Sequence, residues 1–87
     1  MINYILGEDK YVRFRVVSLK NEDFEILKAT YKLYKDKSLE AEGDCKIKEH
    51  YITVKLNPLQ KSMRYCLEVT YYIADEILKK KVQIEVV

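Results

Sequence analysis

Apolar and polar residues alternate along much of the chain with a period of two. In one segment the apolar residues Val12, Phe14 and Val16 share a face, and Arg13 and Arg15 occupy the other. Successive side chains of a β-strand point to opposite sides of a sheet, and β-branched and aromatic residues favour strands. The pattern therefore predicts a half-buried strand with an apolar inner face and a basic outer face.

Other segments alternate in the same way and are separated by residues typical of turns. Pro58 ends one of these segments because proline has no N–H to donate to a sheet. The last two long segments are separated by Ala74-Asp75-Glu76 and predict a C-terminal hairpin. The further predicted strands lie at 3–6, 39–42, 45–48, 51–56, 64–73 and 82–87.

Residues 21–34 are compatible with two structures. As a helix, the segment would begin with Asn21 as its N-cap and would carry Phe24, Leu27, Tyr31 and Tyr34 in one stripe. As a strand, it would turn Leu27, Ala29, Tyr31 and Leu33 towards the core, and 21–23 would form a turn. We predict the strand, because the flanking segments are strands and local helix propensity is a weak guide. A helix at about 22–35, which would give an α+β protein, is the alternative.

Together these segments predict an all-β protein: a single domain, 1–87, folded as an antiparallel β-sandwich of about seven to eight strands. A chain of 87 residues has room for one hydrophobic core. The alternation assigns that core to Val12, Phe14, Val16, Leu27, Ala29, Leu33, Ile52, Val54, Leu56, Leu67, Val69, Val82, Ile84 and Val86.

Composition narrows the function classes. Apolar residues make up 48% of the chain, which is too much for a disordered tail. The net charge is only +2, and acidic residues accompany the basic segments, so we do not expect nucleic-acid binding.

We expect no membrane partner, because no segment approaches about 20 apolar residues and the first residues do not resemble a signal peptide. The expected location is the cytoplasm, with both cysteines, Cys45 and Cys66, as free thiols.

The residues that usually carry chemistry are few and scattered. His50 is the single histidine and stands in a predicted turn, and no spacing of Cys45, Cys66 and His50 matches a zinc motif. No glycine-rich phosphate loop is present. We therefore predict that the protein is not an enzyme, with no catalytic residues, no metal site and no cofactor.

Tyrosine is unusually frequent, at eight of 87 residues. Tyrosine suits protein interfaces because it offers a large rigid surface at small entropic cost. The alternation turns Tyr11, Tyr34 and Tyr72 outward, and these are the predicted interface residues. The predicted partners are other protein subunits or a second copy of the chain. Two alternatives stay open: a small ligand- or carbohydrate-binding sandwich using Tyr34 and Tyr72, and a nucleic-acid-binding sheet.

The segment Leu56-Asn57-Pro58, followed by Tyr65-Cys66-Leu67, resembles the E–F corner of immunoglobulin-like and fibronectin-type sandwiches. The resemblance implies an Ig-like topology in which Pro58 and Tyr65 form the structural corner. The order of strands and turns is also similar to small β-sandwich modules of phage and prophage structural proteins, such as the N-terminal modules of baseplate upper-fin proteins. This likeness implies a non-catalytic structural protein of a virion, present in the cytoplasm before assembly.

Overall fold

The structure is a computed structural model, and it describes residues 1–17 and 23–87. The turn predicted at 21–23 lies outside the described residues, except for Asp23. Asn21, the N-cap of the alternative helix, also lies outside them. Within the described residues the chain forms eight strands and no helix. The strands are β1 (Ile2–Tyr4), β2 (Lys10–Arg15), β3 (Ile26–Lys35), β4 (Ser38–Asp44), β5 (Lys46–Lys48), β6 (Tyr51–Leu56), β7 (Ser62–Ile73) and β8 (Glu76–Val86).

Two sheets pack face to face, with strand orders β1-β8-β7-β3-β4 and β2-β6-β5. All strand pairs are antiparallel except β1 with β8, which is parallel. The smaller sheet holds the strands that correspond to B, D and E of an immunoglobulin-like sandwich, and the larger holds C, F, G and an added C′ strand. The predicted all-β, Ig-like sandwich of seven to eight strands is confirmed.

The two sheets differ in length. Strands β7 and β8 have 12 and 11 residues, whereas β2 and β6 have six each. The larger sheet therefore extends past the smaller one at the β7–β8 hairpin. Tyr71, Ile73 and Leu78 at this end of the hairpin are only half-buried.

The ambiguous segment is a strand. From Ile26 to Lys35 the chain pairs with β7 on one side and β4 on the other, so the helical alternative is wrong for these residues. The predicted inward position of Leu27 is also wrong, because its side chain is 59% exposed. The register with β7 shifts between Ile26 and Lys28, and the irregularity puts Ile26 in the core instead.

The core contains 11 of the 14 residues that the alternation assigned to it. Of the other three, Leu27 is exposed, and Val16 and Val82 are packed against the core but only partly buried. Tyr4, Ile26 and Tyr65 join the core. The confirmed core residues are Val12, Phe14, Ala29, Leu33, Ile52, Val54, Leu56, Leu67, Val69, Ile84 and Val86.

Three of the tight turns use non-glycine residues in the left-handed region. Asp36 and Lys37, with φ of 49° and 70°, connect β3 to β4. Positive φ at both central residues is the geometry of a type I′ hairpin turn, whose twist matches that of the flanking strands. Glu49 (φ 54°) and Ala74 (φ 53°) lie in the β5–β6 and β7–β8 turns. The turns predicted at these places are present.

Tyr65 links the start of β7 to neighbouring chain segments. Its ring is buried, and its hydroxyl donates a hydrogen bond of 2.6 Å to Glu40 Oε1. The same hydroxyl accepts a bond of 3.2 Å from the backbone N–H of Gln60, five residues upstream. Pro58 is buried in the β6–β7 connection. The hydroxyl of Tyr65 therefore holds together β7, the β6–β7 connection and β4.

We predict that Leu33→Ala lowers the free energy of unfolding by about 2–5 kcal/mol, because the side chain is 1% exposed and its removal leaves a cavity. Leu27→Ala, on the same strand, is the matched control and should cost less than about 0.5 kcal/mol. Urea unfolding followed by circular dichroism measures both. Equal losses for the two variants would contradict the assignment of faces on β3.

We predict that Tyr65→Phe lowers the free energy of unfolding by about 1–2 kcal/mol, because Glu40 loses its buried hydroxyl donor. The control is Tyr34→Phe, since no described residue hydrogen-bonds the Tyr34 hydroxyl, and its effect should be within about 0.5 kcal/mol. Denaturant midpoints compare the two. A Tyr65→Phe variant as stable as the unaltered protein would show that the corner hydroxyl contributes nothing.

Alkaline pH should destabilise the protein through the buried tyrosines. Burial raises the pKa of Tyr65 to about 12, with the hydrogen bond to Glu40 adding to the effect, and burial raises the pKa of Tyr4 to about 12. Because each pKa lies above its unfolded value, the associated stability is complete below pH 10 and is lost as pH rises towards 12. Urea unfolding at pH 9 to 11.5 should show this loss, and Tyr65→Phe should show a shallower one. Identical slopes would contradict it.

Candidate functional site

The outer face of the three-stranded sheet carries a cluster of cations and tyrosines. On β2 and β6 the buried residues alternate with more exposed ones, so Val12 and Ile52 face the core while Arg13 and Tyr51 face outward. Paired residues share a face, which places the outward side chains of all three strands on one surface. We call this surface the basic-tyrosine face and define it by Tyr11, Arg13, Arg15, Lys46, Lys48, Tyr51, Thr53 and Lys55.

The register arranges these side chains in rows across the sheet. Arg15 pairs with Tyr51, which pairs with Lys48 on its other side. The next row is Arg13, Thr53 and Lys46, and the last joins Tyr11 to Lys55. Neighbouring strands lie about 4.8 Å apart and a six-residue strand is about 18 Å long. Five cations and two aromatic rings therefore occupy a surface of about 10 by 18 Å.

Cations contact both tyrosine rings. The guanidinium carbon of Arg13 lies 4.7 Å from the centre of the Tyr51 ring. The ammonium nitrogens of Lys55 and Lys46 lie 5.7 Å and 5.9 Å from the centre of the Tyr11 ring. These distances fall within the range of cation–π attraction. The contacts hold the long basic side chains beside the rings, and Tyr11 is still 58% exposed.

The eight outward positions of the face, all in the described part of the chain, hold five cations and no carboxylate, so their formal charge is positive. Two described acidic residues lie at its rim. Asp9 lies 3.4 Å from Lys55, with both side chains about half exposed, and Glu49 stands in the β5–β6 turn. An exposed pair of this kind is weak and is screened by salt. The other four cations of the face form no ion pair with a carboxylate of the described residues.

The outer face of the five-stranded sheet has the opposite organisation. Across one row, Glu42 pairs with Lys32, which pairs with Glu68, which pairs with Lys81. Glu68 also lies 3.4 Å from Lys79 and 4.0 Å from Lys81. Charges of opposite sign alternate here and largely cancel. The two sheets thus divide the acidic residues unequally, although the whole chain is close to neutral.

The three predicted interface tyrosines do not form one surface. Tyr11 lies on the basic-tyrosine face, whereas Tyr34 and Tyr72 lie on the larger sheet. Tyr34 pairs with Cys66, which is six residues from Tyr72 along β7, so the two tyrosines are about 20 Å apart. Both are only half-exposed. Of the three, only Tyr11 stands among other residues of the candidate site.

An open cavity of about 700 Å³ lies on the outer face of the larger sheet. Its lining carries charges of both signs: Arg64 lies 3.5 Å from Asp36, Lys81 lies 4.0 Å from Glu68, and Lys37 adds a further cation. Because carboxylates stand among these cations, the net charge of the cavity is smaller than that of the basic-tyrosine face, and it is the weaker candidate site. The cavity is lined by Tyr34, Asp36, Lys37, Arg64, Cys66, Glu68 and Lys81.

The residues considered for chemistry lie apart. His50 stacks on Phe24, with ring centres 4.1 Å apart, and Cys45 and Cys66 are not joined by a disulfide. Burial raises the pKa of the Cys45 thiol to about 11, and nearby Asp44 adds to the effect, so this thiol is a poor nucleophile at neutral pH. No group of three or more His, Cys, Asp or Glu side chains is placed to hold a metal ion in residues 1–17 and 23–87.

The basic-tyrosine face was not predicted from the sequence, although its parts were visible. Arg13 and Arg15 were assigned to one outer face, but Lys46, Lys48 and Lys55 belong to other segments. The acidic residues that argued against a basic surface are neighbours in sequence. Those that the structure describes lie in turns, in connections or on other strands, and Asp9 lies at the rim of the face. The available signal was that the outward positions of three separate alternating segments contain only Arg, Lys, Tyr and Thr.

Comparison of the chain with protein-family models, with curated proteins and with solved structures gave no match. The described residues also contain no helix that is long and apolar enough to cross a membrane. The assignment of a function therefore depends on the geometry and charge of the face itself.

Proposed function

We propose that the protein is a non-catalytic binding module whose contact surface is the basic-tyrosine face and whose partner is a polyanion. One observation carries the proposal: five cations from three strands share a face without a carboxylate among its outward positions. A surface of one sign raises the local concentration of an oppositely charged partner and speeds its association.

The tyrosines support a binding role as well as the cations. A flat sheet face offers a preformed surface, because its backbone is fixed by strand pairing and little order has to be gained on binding. Tyr11 and Tyr51 add rigid rings between the charges. Arginine and tyrosine are the residue types enriched where binding energy is concentrated. The face thus combines electrostatic attraction with groups that give short-range contact.

The sequence resemblance suggests the setting for such a module. A place in a phage or prophage particle, among other protein subunits, is part of our proposal and rests on the pattern of strands and turns. Within that setting the basic-tyrosine face, with Tyr11 as its exposed ring, is the surface that contacts the polyanion. Genes for tail, portal or capsid proteins beside the gene for this chain would support the virion setting.

We predict that neutralising lysines of the basic-tyrosine face weakens retention on heparin. Heparin is a polyanion that contains neither nucleobases nor amino-acid side chains. The measurement is the salt concentration at which the protein elutes. Because each lost ion contact lowers the salt dependence of binding, the altered protein should elute at clearly lower salt. The face variant carries Lys46→Gln, Lys48→Gln and Lys55→Gln.

The chain offers a control of identical composition. Three exposed lysines on the outer face of the larger sheet can be replaced in the same way, giving a protein with the same net charge as the face variant. This control should elute close to the unaltered protein, because its cations lie beside carboxylates. Equal shifts for the two variants would show that retention follows net charge and would contradict the proposal. The control variant carries Lys32→Gln, Lys79→Gln and Lys81→Gln, and all three of these lysines lie beside Glu68.

A further inference from the structure

We propose that the polyanion bound by the basic-tyrosine face is a single-stranded nucleic acid, with a base stacked on Tyr11 and phosphates held by the surrounding cations. This inference rests on the proposed function and specifies the ligand of the same site. It is carried by the juxtaposition of an exposed aromatic ring with five basic side chains on one sheet face.

The cations of the face are placed so that they can contact the phosphates of a nucleic-acid backbone. Arg13 and Arg15 lie along β2 on one edge of the face, and Lys46 and Lys48 lie along β5 on the other, with β6 between them. The arginines of β2 and the lysines of β5 are therefore about 10 Å apart, on either side of β6. A strand of nucleic acid laid along β6 meets cations on both sides of its path.

The aromatic rings supply surfaces on which bases can stack, which a site made only of charged groups lacks. Tyr11 is 58% exposed and has ammonium groups 5.7 Å and 5.9 Å from its ring centre. A base that stacks on this ring would displace an ammonium group from over it, and the displaced lysine would then pair with a neighbouring phosphate. The Arg13 guanidinium over Tyr51 adds a second planar group of the kind on which bases stack. Stacking is tolerant of sequence, so we expect little base specificity.

The same features favour a single strand over a duplex and over an acidic protein. In a duplex the base faces are covered by neighbouring base pairs, so a tyrosine ring on a flat sheet has nothing to stack on. Major-groove readout uses an inserted helix or two-stranded ribbon, and the basic-tyrosine face presents neither among its described residues. An acidic peptide would pair with the cations but would leave the exposed Tyr11 ring without a planar partner.

The test is fluorescence anisotropy with a labelled oligothymidylate of about 12 nucleotides and with an abasic oligonucleotide of the same length. The abasic probe has the phosphates but no bases. The proteins compared are the unaltered chain, Tyr11→Leu, the face variant, and Tyr34→Leu as the control tyrosine on the larger sheet. Circular dichroism establishes that each variant is folded. A duplex of the same length and polyglutamate serve as competitors.

We expect the oligothymidylate to bind more tightly than the abasic probe. Tyr11→Leu should weaken oligothymidylate binding about tenfold, because one stacked base is lost, and should leave abasic binding unchanged. Tyr34→Leu should change neither. With five cations engaged, the slope of log Kobs against log salt should be about −3.5, and the face variant should reduce it by about 2.

Equal binding of the two probes, or no effect of Tyr11→Leu on either, would overturn the inference. Displacement of the oligothymidylate more readily by duplex or by polyglutamate than by unlabelled single strand would also overturn it. In these cases retention on heparin by the unaltered chain, lost in the face variant, would leave the proposed function standing. Absence of binding to every polyanion would refute both proposals.

Discussion

The register of the three-stranded sheet is the constraint on which the candidate site depends. Val12 and Phe14 on β2 pair with Val54 and Ile52 on β6, and all four are buried against the larger sheet. Because side chains alternate with a period of two, a slip of one residue in either strand would turn its apolar residues to solvent and its polar residues to the core. Burial of the inner face therefore also fixes the positions of the cations on the outer face.

This coupling explains how a chain with a net charge of +2 can carry a strongly basic surface. The acidic residues are almost as numerous as the basic ones, but the described structure places them mainly in turns and on the larger sheet. On that sheet Glu68 lies among Lys32, Lys79 and Lys81, and Glu42 pairs with Lys32, so carboxylates offset part of the positive charge of these lysines. A binding partner responds to the local potential of the face that it meets, not to the sum over the chain.

The alternation of apolar and polar residues predicted the buried positions correctly in the regular strands. It identified most of the core, including Leu33 and Leu67, because a half-buried strand repeats every two residues. It failed at Leu27, where the register shifts and the periodicity breaks. Tyr4 was also missed, since its burial depends on the parallel pairing of β1 with the distant β8. Such irregularities and long-range pairings leave no periodic signal in the chain.

The sequence by itself determined that the protein is built of strands and, where a strand is regular, which of its residues face inward. Only the tertiary structure decided that β5 lies beside β6 and β6 beside β2, which brings Lys46, Lys48 and Lys55 onto the same face as Arg13 and Arg15. Alternation is a local property, because neighbouring residues along a strand set it. Strand pairing is a contact between distant segments and is fixed by packing of the whole core. The sequence of one segment therefore does not indicate which segment pairs with it.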